Sequence, residues 1–270
     1  MARLQLRGQR VLVTGASAGL GAEFARQLAR DHGAHPVLVA RRLDRLEALA
    51  TELKAFGVEP EVFPADLSRD DDVGRLLHAL DADGKPLGAA ILNAGVTRFG
   101  HGVEQPWDAL LGLLATNVLA PVRMVTHLAR SFKSRPEGGA VMLVSSLAGF
   151  APLPWQALYG GTKALVTSYG VALNHELEGS GTSVTVFAPG GIATEMLGAM
   201  GGAFKQGDLG IMDADACARL ALEGFIARRG LVVPGMLNKL NAWAMQVGPR
   251  ALVMNSVSRI YRAALVKQLG

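Results

Sequence analysis

The chain has 270 residues, of which 50% are hydrophobic, and its formal net charge is +4. This length and apolar content are enough to bury a full core, so we expect one domain over residues 1–270. The basic residues are scattered apart from Arg41-Arg42 and Arg228-Arg229, so the charge gives no reason to expect a nucleic-acid partner.

Apolar runs of strand length alternate with longer helical periodicities along the chain. This alternation is typical of repeated βα units around a parallel sheet. It predicts an α/β, doubly wound fold with a seven-stranded, mostly parallel sheet and helices on both faces. Ser68, with Asp71 three residues later, predicts the cap of the third helix. Strands are expected near residues 10–13, 37–40, 61–64, 89–92, 140–144, 183–187 and 230–233, and long helices near 107–134 and 155–178.

A glycine-rich turn, ThrGlyAlaSerAlaGlyLeuGly at residues 14–21, joins the first strand to the first helix. Small residues at such a turn let the backbone approach a pyrophosphate, and the helix N–H groups face it. The spacing is GxxxGxG rather than GxGxxG, and a plain strand-to-helix connection is the alternative interpretation; the βα context favours dinucleotide binding. The residues expected at the nucleotide are Gly15, Ser17, Ala18, Gly19, Leu20 and Gly21.

The second strand ends in Arg41 and Arg42, where NAD-binding folds usually place an acidic residue on the ribose hydroxyls. A planar guanidinium pairs well with a 2′-phosphate, so the sequence predicts a preference for NADP(H), with NAD(H) as the second option. A solvated helix start is the alternative for both arginines. Asp66, followed by Leu67, either caps the next helix or accepts a hydrogen bond from the adenine amino group.

Tyr159 and Lys163 are four residues apart in a stretch predicted to be helical, so their side chains project from one face. A cation beside a phenol lowers its pKa from about 10 toward the range useful for acid/base chemistry at neutral pH. Ser146 lies thirteen residues before Tyr159, at the end of an apolar strand. Taken alone, such a Tyr/Lys pair is usually an ordinary surface pair. Asn117, which precedes Pro121, is either part of the site or the mark of a helix kink.

Six motifs in register resemble the short-chain dehydrogenase/reductase family over about residues 8–195. They are residues 14–21, AsnAlaGly at 93–95, Asn117, Ser145-Ser146, TyrGlyGlyThrLys at 159–163 and ProGlyGlyIleAlaThr at 189–194. The resemblance implies a Rossmann-like fold. It also implies that the nucleotide contacts include Asn93, Ala94, Gly95, Pro189, Gly190, Ile192 and Thr194, although a stabilising role for Asn93 and Gly95 is an equal alternative.

The resemblance implies a catalytic role for four residues. Tyr159 would be the general acid in reduction or the base in oxidation, and Lys163 would lower its pKa and hold the nicotinamide ribose. Ser146 would hydrogen-bond the substrate oxygen, and Asn117 would support a proton relay through water. Ser146 is preferred to Ser145 because the family places its serine thirteen residues before the tyrosine.

The segments expected around the substrate are apolar: residues 147–155 and a loop with Met196, Leu197, Met200 and Phe204. They predict a hydrophobic ketone, aldehyde or 3-oxoacyl substrate. The cofactor-binding part is expected over about 8–150 and the catalytic part over about 140–230. Residues 231–270 form an apolar, basic extension, interpreted as a cover for the cleft or a subunit contact, with a weak membrane-surface contact as the alternative.

The sequence therefore favours an NADPH-dependent oxidoreductase that reduces a small-molecule carbonyl to an alcohol. A catalytically idle NADP-binding regulator or scaffold on the same fold is one alternative, and epimerisation or dehydration is another. The resemblance implies a homodimer or homotetramer. A single cysteine, Cys217, no secretory signal and no apolar run of roughly 18 residues predict a cytoplasmic protein without a transmembrane segment. The histidines show no metal-ligand spacing, so no metal is expected.

Overall fold

A computed structural model of the chain describes residues 2–193 and 211–269. The strands in these residues are β1 (Arg10–Thr14), β2 (His35–Ala40), β3 (Glu61–Pro64), β4 (Leu87–Leu92), β5 (Gly139–Val144), β6 (Thr182–Phe187), β7 (Gly191–Ile192), β8 (Ile211–Met212) and β9 (Leu231–Val232). The helices are α1 (Gly19–Arg30), α2 (Leu43–Lys54), α3 (Asp70–Ala82), α4 (Trp107–Leu114), α5 (Ala120–Lys133), α6 (Ala157–Glu176), α7 (Ala214–Ile226), α8 (Met236–Val247) and α9 (Arg250–Leu269).

Seven strands form one sheet in the order β3-β2-β1-β4-β5-β6-β9, and each neighbouring pair is parallel. This confirms the α/β, doubly wound fold with helices on both faces. β7 and β8 form a separate two-stranded sheet that the sequence pattern did not predict. The strand order changes direction between β1 and β4, and ligands bind at such a switch point, outside the carboxyl ends of the strands.

The core has two halves, one on each face of the sheet. β1 shows the division, because Val11 and Val13 belong to one apolar cluster and Leu12 to the other. Every residue of β5 and of β6 is buried, which requires helices on both sides of a parallel sheet. These rigid strands fix the positions of the loops that follow them, and these loops carry most of the predicted site.

The third helix does not begin as the sequence predicted. Its N-cap residue is Arg69, which makes no side-chain capping bond, and the Ser68 hydroxyl instead donates to Asp66 Oδ1 at 2.8 Å. The Ser68–Asp71 capping prediction is therefore wrong, because Asp66 engages Ser68 in a local turn before the helix starts. The carboxylate of Asp72, in the first turn of α3, accepts a hydrogen bond from the Asp66 backbone N–H at 2.8 Å.

The predicted long helix near 107–134 is continuous over Trp107–Lys133, with a π-helical turn at Ala115–Leu119 between α4 and α5. By length and composition this helix could cross a membrane, since its most apolar window has a mean hydropathy of 1.5, although 33% of that window is buried. The helix is not an uninterrupted apolar run, since Asp108, Asn117 and Arg123 lie within it, so the sequence expectation about such runs still holds. One such helix is weak evidence for a span, because a core helix of a globular protein passes the same test.

Candidate active site

The glycine turn leads directly into the N-terminus of α1. Among the described residues, no side chain caps this end, and the first turn contains no acidic residue. The backbone N–H groups and the positive end of the helix dipole are therefore available to an anion. Packing also requires glycine at positions 15 and 21. A Cβ atom would approach Asn93 Nδ2 to 2.9 Å from position 15 and to 2.7 Å from position 21.

Arg41 and Arg42 lie beside this turn. Arg42 donates from Nε and Nη2 to the Ser17 hydroxyl, at 3.2 Å and 3.1 Å. Arg41 is exposed, and all three residues line the same cavity. Arg41, Arg42 and Ser17 thus line one cavity beside the end of β2, and this set of groups fits the phosphate of an NADP ribose.

Asn93 joins the ends of β1 and β4. Its backbone N–H, and that of Ala94, donate to Thr14 Oγ1 at 3.0 Å, and its own Nδ2 donates to Thr14 O at 3.0 Å. Asn93 therefore stabilises the sheet at the switch point as well as lining the cavity. Asp66 accepts hydrogen bonds from the N–H and the hydroxyl of Ser68 and also lines the cavity.

The two serines after β5 have different surroundings. The Ser145 hydroxyl is buried, donates to Lys163 O at 2.9 Å and lies 2.6 Å from Thr167 Oγ1. The Ser146 hydroxyl accepts a hydrogen bond from Ala148 N at 3.1 Å and lines the cavity. Both serines border the cavity, but the hydroxyl of Ser145 is engaged with Lys163 O and Thr167 and ties α6 to the sheet, whereas the hydroxyl of Ser146 bonds, among the described residues, only the neighbouring Ala148 N–H and Tyr159.

Tyr159 and Lys163 project into the cavity from α6. Lys163 is buried, and its Nζ atom donates to Val144 O at 2.9 Å and lies 5.7 Å from the centre of the Tyr159 ring. Burial lowers the pKa of Lys163 to about 8. Burial also raises the pKa of Tyr159, although its hydrogen bond with Ser146 acts in the opposite direction. Burial outweighs this hydrogen bond, so the pKa of Tyr159 lies above its ordinary value and not below it.

Asn117 lies in the π-helical turn and is almost fully buried. Its Oδ1 accepts from Val96 N and its Nδ2 donates to Val96 O, both at 2.8 Å. A Cβ atom on Gly95 would lie 3.4 Å from Lys163 Nζ and 3.5 Å from Asn117 Oδ1, so the three residues adjoin. Asn117 does lie at a helix irregularity, as the kink interpretation expected. The same π-helical turn also brings its amide beside the loop after β4 and Lys163, so Asn117 adjoins the site as well.

One cavity of about 530 Å³ connects these features. Every predicted site residue lines it apart from three: Gly21 and Asn117 lie behind its wall, and Thr194 lies outside the described residues, as do Met196, Leu197, Met200 and Phe204. Pro189, Gly190 and Ile192 close one side after β6. The sequence-based set of residues is thus brought to one place by strands that are far apart in the chain.

The sequence offered residues 231–270 as a cover for this cavity or a subunit contact, but it did not say which of them would line the cavity. Met245 of α8 and Val257 of α9 line it from the C-terminal extension. Arg262 of α9 stacks over Trp155, with the guanidinium carbon 5.9 Å from the ring centre. Gln156, a buried amide that donates to Thr97 Oγ1 at 2.7 Å, adds a polar group to the lining. The extension therefore covers the cleft, as its preferred interpretation predicted.

Asn238 explains how α8 is held in place. This buried side chain donates to Pro234 O at 3.0 Å, and a Cβ atom on Gly190 would come within 2.6 Å of its Oδ1. Glycine at position 190 thus permits the helix to pack against the loop after β6. No sequence motif marked Asn238, because only the tertiary contact distinguishes it from a surface asparagine.

Among the described residues there is no cluster of His, Cys, Asp or Glu that could hold a metal ion. Cys217 is buried, and burial raises the pKa of its thiol to about 12, so it is a packed side chain.

Comparison with known proteins agrees with this geometry. The family model described as short chain dehydrogenase matches residues 9–202. An uncharacterized oxidoreductase from Myxococcus xanthus is 36% identical over 185 residues, which cover 68% of this chain and 72% of the relative. A 7beta-hydroxysteroid dehydrogenase from Collinsella aerofaciens is 31% identical over 191 residues, 70% of this chain and 71% of the relative.

A solved short-chain dehydrogenase from Sphingobium yanoikuyae, in complex with NADPH, superposes with a TM-score of 0.79 at 34% identity. The match covers 92% of this chain and 95% of the solved one, so it reaches into the C-terminal extension. The matched motifs, the parallel sheet and the family model lead to one conclusion: the chain belongs to the short-chain dehydrogenase/reductase family of NAD(P)-dependent oxidoreductases.

Proposed function

We propose that the chain uses NADPH to reduce a bulky, apolar ketone, aldehyde or 3-oxoacyl group to the alcohol, with Tyr159 as the proton donor. The observation that carries this proposal is the shared cavity, in which Ser146, Tyr159 and Lys163 lie opposite an apolar cover formed by α8 and α9. The cavity continues to Ser17 and the two arginines at the other end.

The residues present fit a nicotinamide dinucleotide. The uncapped N-terminus of α1 would hold the pyrophosphate through backbone N–H groups, and Arg41, Arg42 and Ser17 would hold the 2′-phosphate. Lys163 would hold the nicotinamide ribose. When bound, NADPH supplies the hydride, and the protein supplies orientation and the proton.

Tyr159 has the protonation state that a proton donor needs. Because burial holds its pKa above the ordinary value, the side chain is a phenol at neutral pH. It can therefore give its proton to the oxygen of the substrate carbonyl as that oxygen gains negative charge. The Ser146 hydroxyl, hydrogen-bonded with Tyr159, would hold the same oxygen in place.

Lys163 stabilises the phenolate of Tyr159 that this proton transfer leaves. With a pKa of about 8 it is mainly protonated at neutral pH, and it lies 5.7 Å from the tyrosine ring centre. Its charge stabilises the phenolate that remains, while Asn117 adjoins it through Gly95. This position of Asn117 supports its proposed part in returning a proton to Tyr159 through water.

The substrate class follows from the lining. Leu153, Met245 and Val257 present apolar surface, with Gln156 as a polar contact. The Collinsella relative is named for a bulky, apolar hydroxysteroid, which supports the same class here. A polar sugar would need more hydrogen-bonding groups than the described residues offer in this part of the cavity.

A substrate panel tests the proposal. The purified chain is given NADPH with a ketosteroid, a long-chain 3-oxoacyl thioester or a ketose, and loss of NADPH absorbance is followed. We expect turnover with the first or second compound and none with the ketose. Turnover of the ketose alone would contradict the substrate class, and binding of NADPH without turnover of any carbonyl would favour an idle regulator.

A further inference from the structure

Helix α8 carries a stripe of large apolar side chains on its outward face. The stripe residues follow one another at spacings of four, three and four, so they share one face of the helix. They are Met236, Leu240, Trp243 and Val247, with exposed fractions of 79%, 58%, 62% and 59%. We refer to these four residues as the α8 stripe.

The opposite face of α8 is already occupied. It carries the buried residues Asn238 and Ala242, and Met245, which lines the cavity. The helix thus packs one face on the protein and leaves the large apolar side chains of its other face exposed. Contiguous exposed apolar side chains of this kind mark sites of interaction.

The segment that carries the stripe has charges of one sign. Residues 236–269 contain no Asp or Glu, and the basic residues there are Lys239, Arg250, Arg259, Arg262 and Lys267. Lys239 and Arg250 are exposed, as is the large apolar side chain of Leu252 at the start of α9. Exposed Trp and Leu together with Lys and Arg, without acidic residues in the same segment, are the composition of helices that lie in the headgroup region of anionic bilayers.

We propose that the α8 stripe and the start of α9 form a docking surface for an anionic lipid bilayer. The charge complementarity favours lipid over a second copy of the chain. A two-fold contact through this face would bring two copies of the same positively charged segment together, and residues 236–269 contain no acidic residue to offset that charge. Anionic headgroups offset the positive charge directly, and the attraction grows with each basic residue.

Docking through this face would hold the cavity close to the lipid. Because Met245 lines the cavity from the reverse side of the same helix, only the thickness of one helix, about 10 Å, would separate cavity and bilayer. This placement concerns location only and holds whichever carbonyl compound the enzyme reduces.

Co-sedimentation of the full chain with vesicles tests the proposal. The vesicles contain either phosphatidylcholine alone or phosphatidylcholine with phosphatidylserine. We expect the chain to pellet with the second kind, to pellet less with the first, and to be released by added salt. The substitution Trp243→Ser should weaken binding roughly tenfold or more, as expected for removing one large apolar side chain from the contact.

Trp107→Ser is the matched control, because Trp107 is a similarly exposed tryptophan (66%) on a different helix, α4. Both variants should keep the unfolding temperature and NADPH turnover of the wild type, and Trp107→Ser should also keep vesicle binding. The proposal is overturned if the wild type stays in the supernatant with both kinds of vesicle, or if the two variants lose binding equally. It is also overturned if light scattering shows that Trp243→Ser reduces the mass of an oligomer, since a second copy would then cover the stripe.

Discussion

Lys163→Met isolates the cost of burying a cation in this site. In the folded chain the pKa of Lys163 falls from its ordinary value of 10.5 to about 8 because its ammonium group is buried. At about 1.4 kcal/mol for each pKa unit, this difference corresponds to roughly 3 kcal/mol of destabilisation while the lysine is protonated in both states. Methionine fills similar space without a charge.

The sign of the pH dependence follows from the two pKa values. Between pH 8 and pH 10.5 the unfolded chain keeps the Lys163 proton and the folded chain has released it. The free energy of unfolding of the wild type should therefore rise with pH in this window, relative to that of Lys163→Met, and the relative rise should total roughly 3 kcal/mol. Below pH 8 and above pH 10.5 the difference between the two proteins should be constant.

Urea unfolding of both proteins at a series of pH values, without added nucleotide, measures this difference. The lost hydrogen bond to Val144 O lowers the stability of the variant by an amount that does not depend on pH, so it does not affect the slope. A difference that stays flat from pH 8 to pH 10.5 would refute the assignment of a buried, proton-binding lysine. The variant should also lose carbonyl reduction, which would link the energetic cost of Lys163 to its function.

Two further predictions concern neighbouring residues. The double substitution Arg41→Ala/Arg42→Ala should lower kcat/KM for NADPH by about 10²-fold or more and change kcat/KM for NADH only a few-fold, because charge-assisted hydrogen bonds to the 2′-phosphate are lost. The control is Arg219→Ala, which removes an exposed arginine paired with Glu223. An equal loss with both cofactors would contradict the phosphate role. Ser146→Ala should lower kcat by about 10²-fold with little change in stability. Ser145→Ala should keep kcat within a few-fold and lower the free energy of unfolding by about 1–2 kcal/mol, because the Ser145 hydroxyl bonds Lys163 O and Thr167 rather than a ligand. Steady-state kinetics and urea unfolding on the two serine variants would contradict this division if the effects were reversed.

The sheet was predictable because each buried parallel strand is a short apolar run and each crossover helix has apolar residues at helical spacing along one face. It was also predictable that most of the proposed nucleotide and catalytic residues lie together, because they follow strand ends, which a parallel sheet gathers at one edge. Ser145 and Ser146 were distinguished by their spacing from Tyr159, and their hydrogen bonds agree with that choice.

What could not be predicted depends on contacts between distant segments. The π-helical turn at Asn117 forms around two hydrogen bonds to Val96, and no local pattern encodes them. Met245 and Val257 reach the cavity only because α8 and α9 fold back over it, and the apolar tail has no motif that fixes this direction. Burial raises the pKa of Tyr159, and burial depends on the tertiary fold, so the spacing to Lys163 could not predict this direction.

The central claim is that Tyr159 donates the proton in carbonyl reduction. The most direct test compares Tyr159→Phe with the wild type in NADPH oxidation by a ketosteroid, with NADPH affinity measured separately from nucleotide fluorescence. The account predicts that kcat falls by at least about 10²-fold while NADPH affinity and unfolding temperature stay close to those of the wild type. Turnover by Tyr159→Phe at the wild-type rate would contradict it.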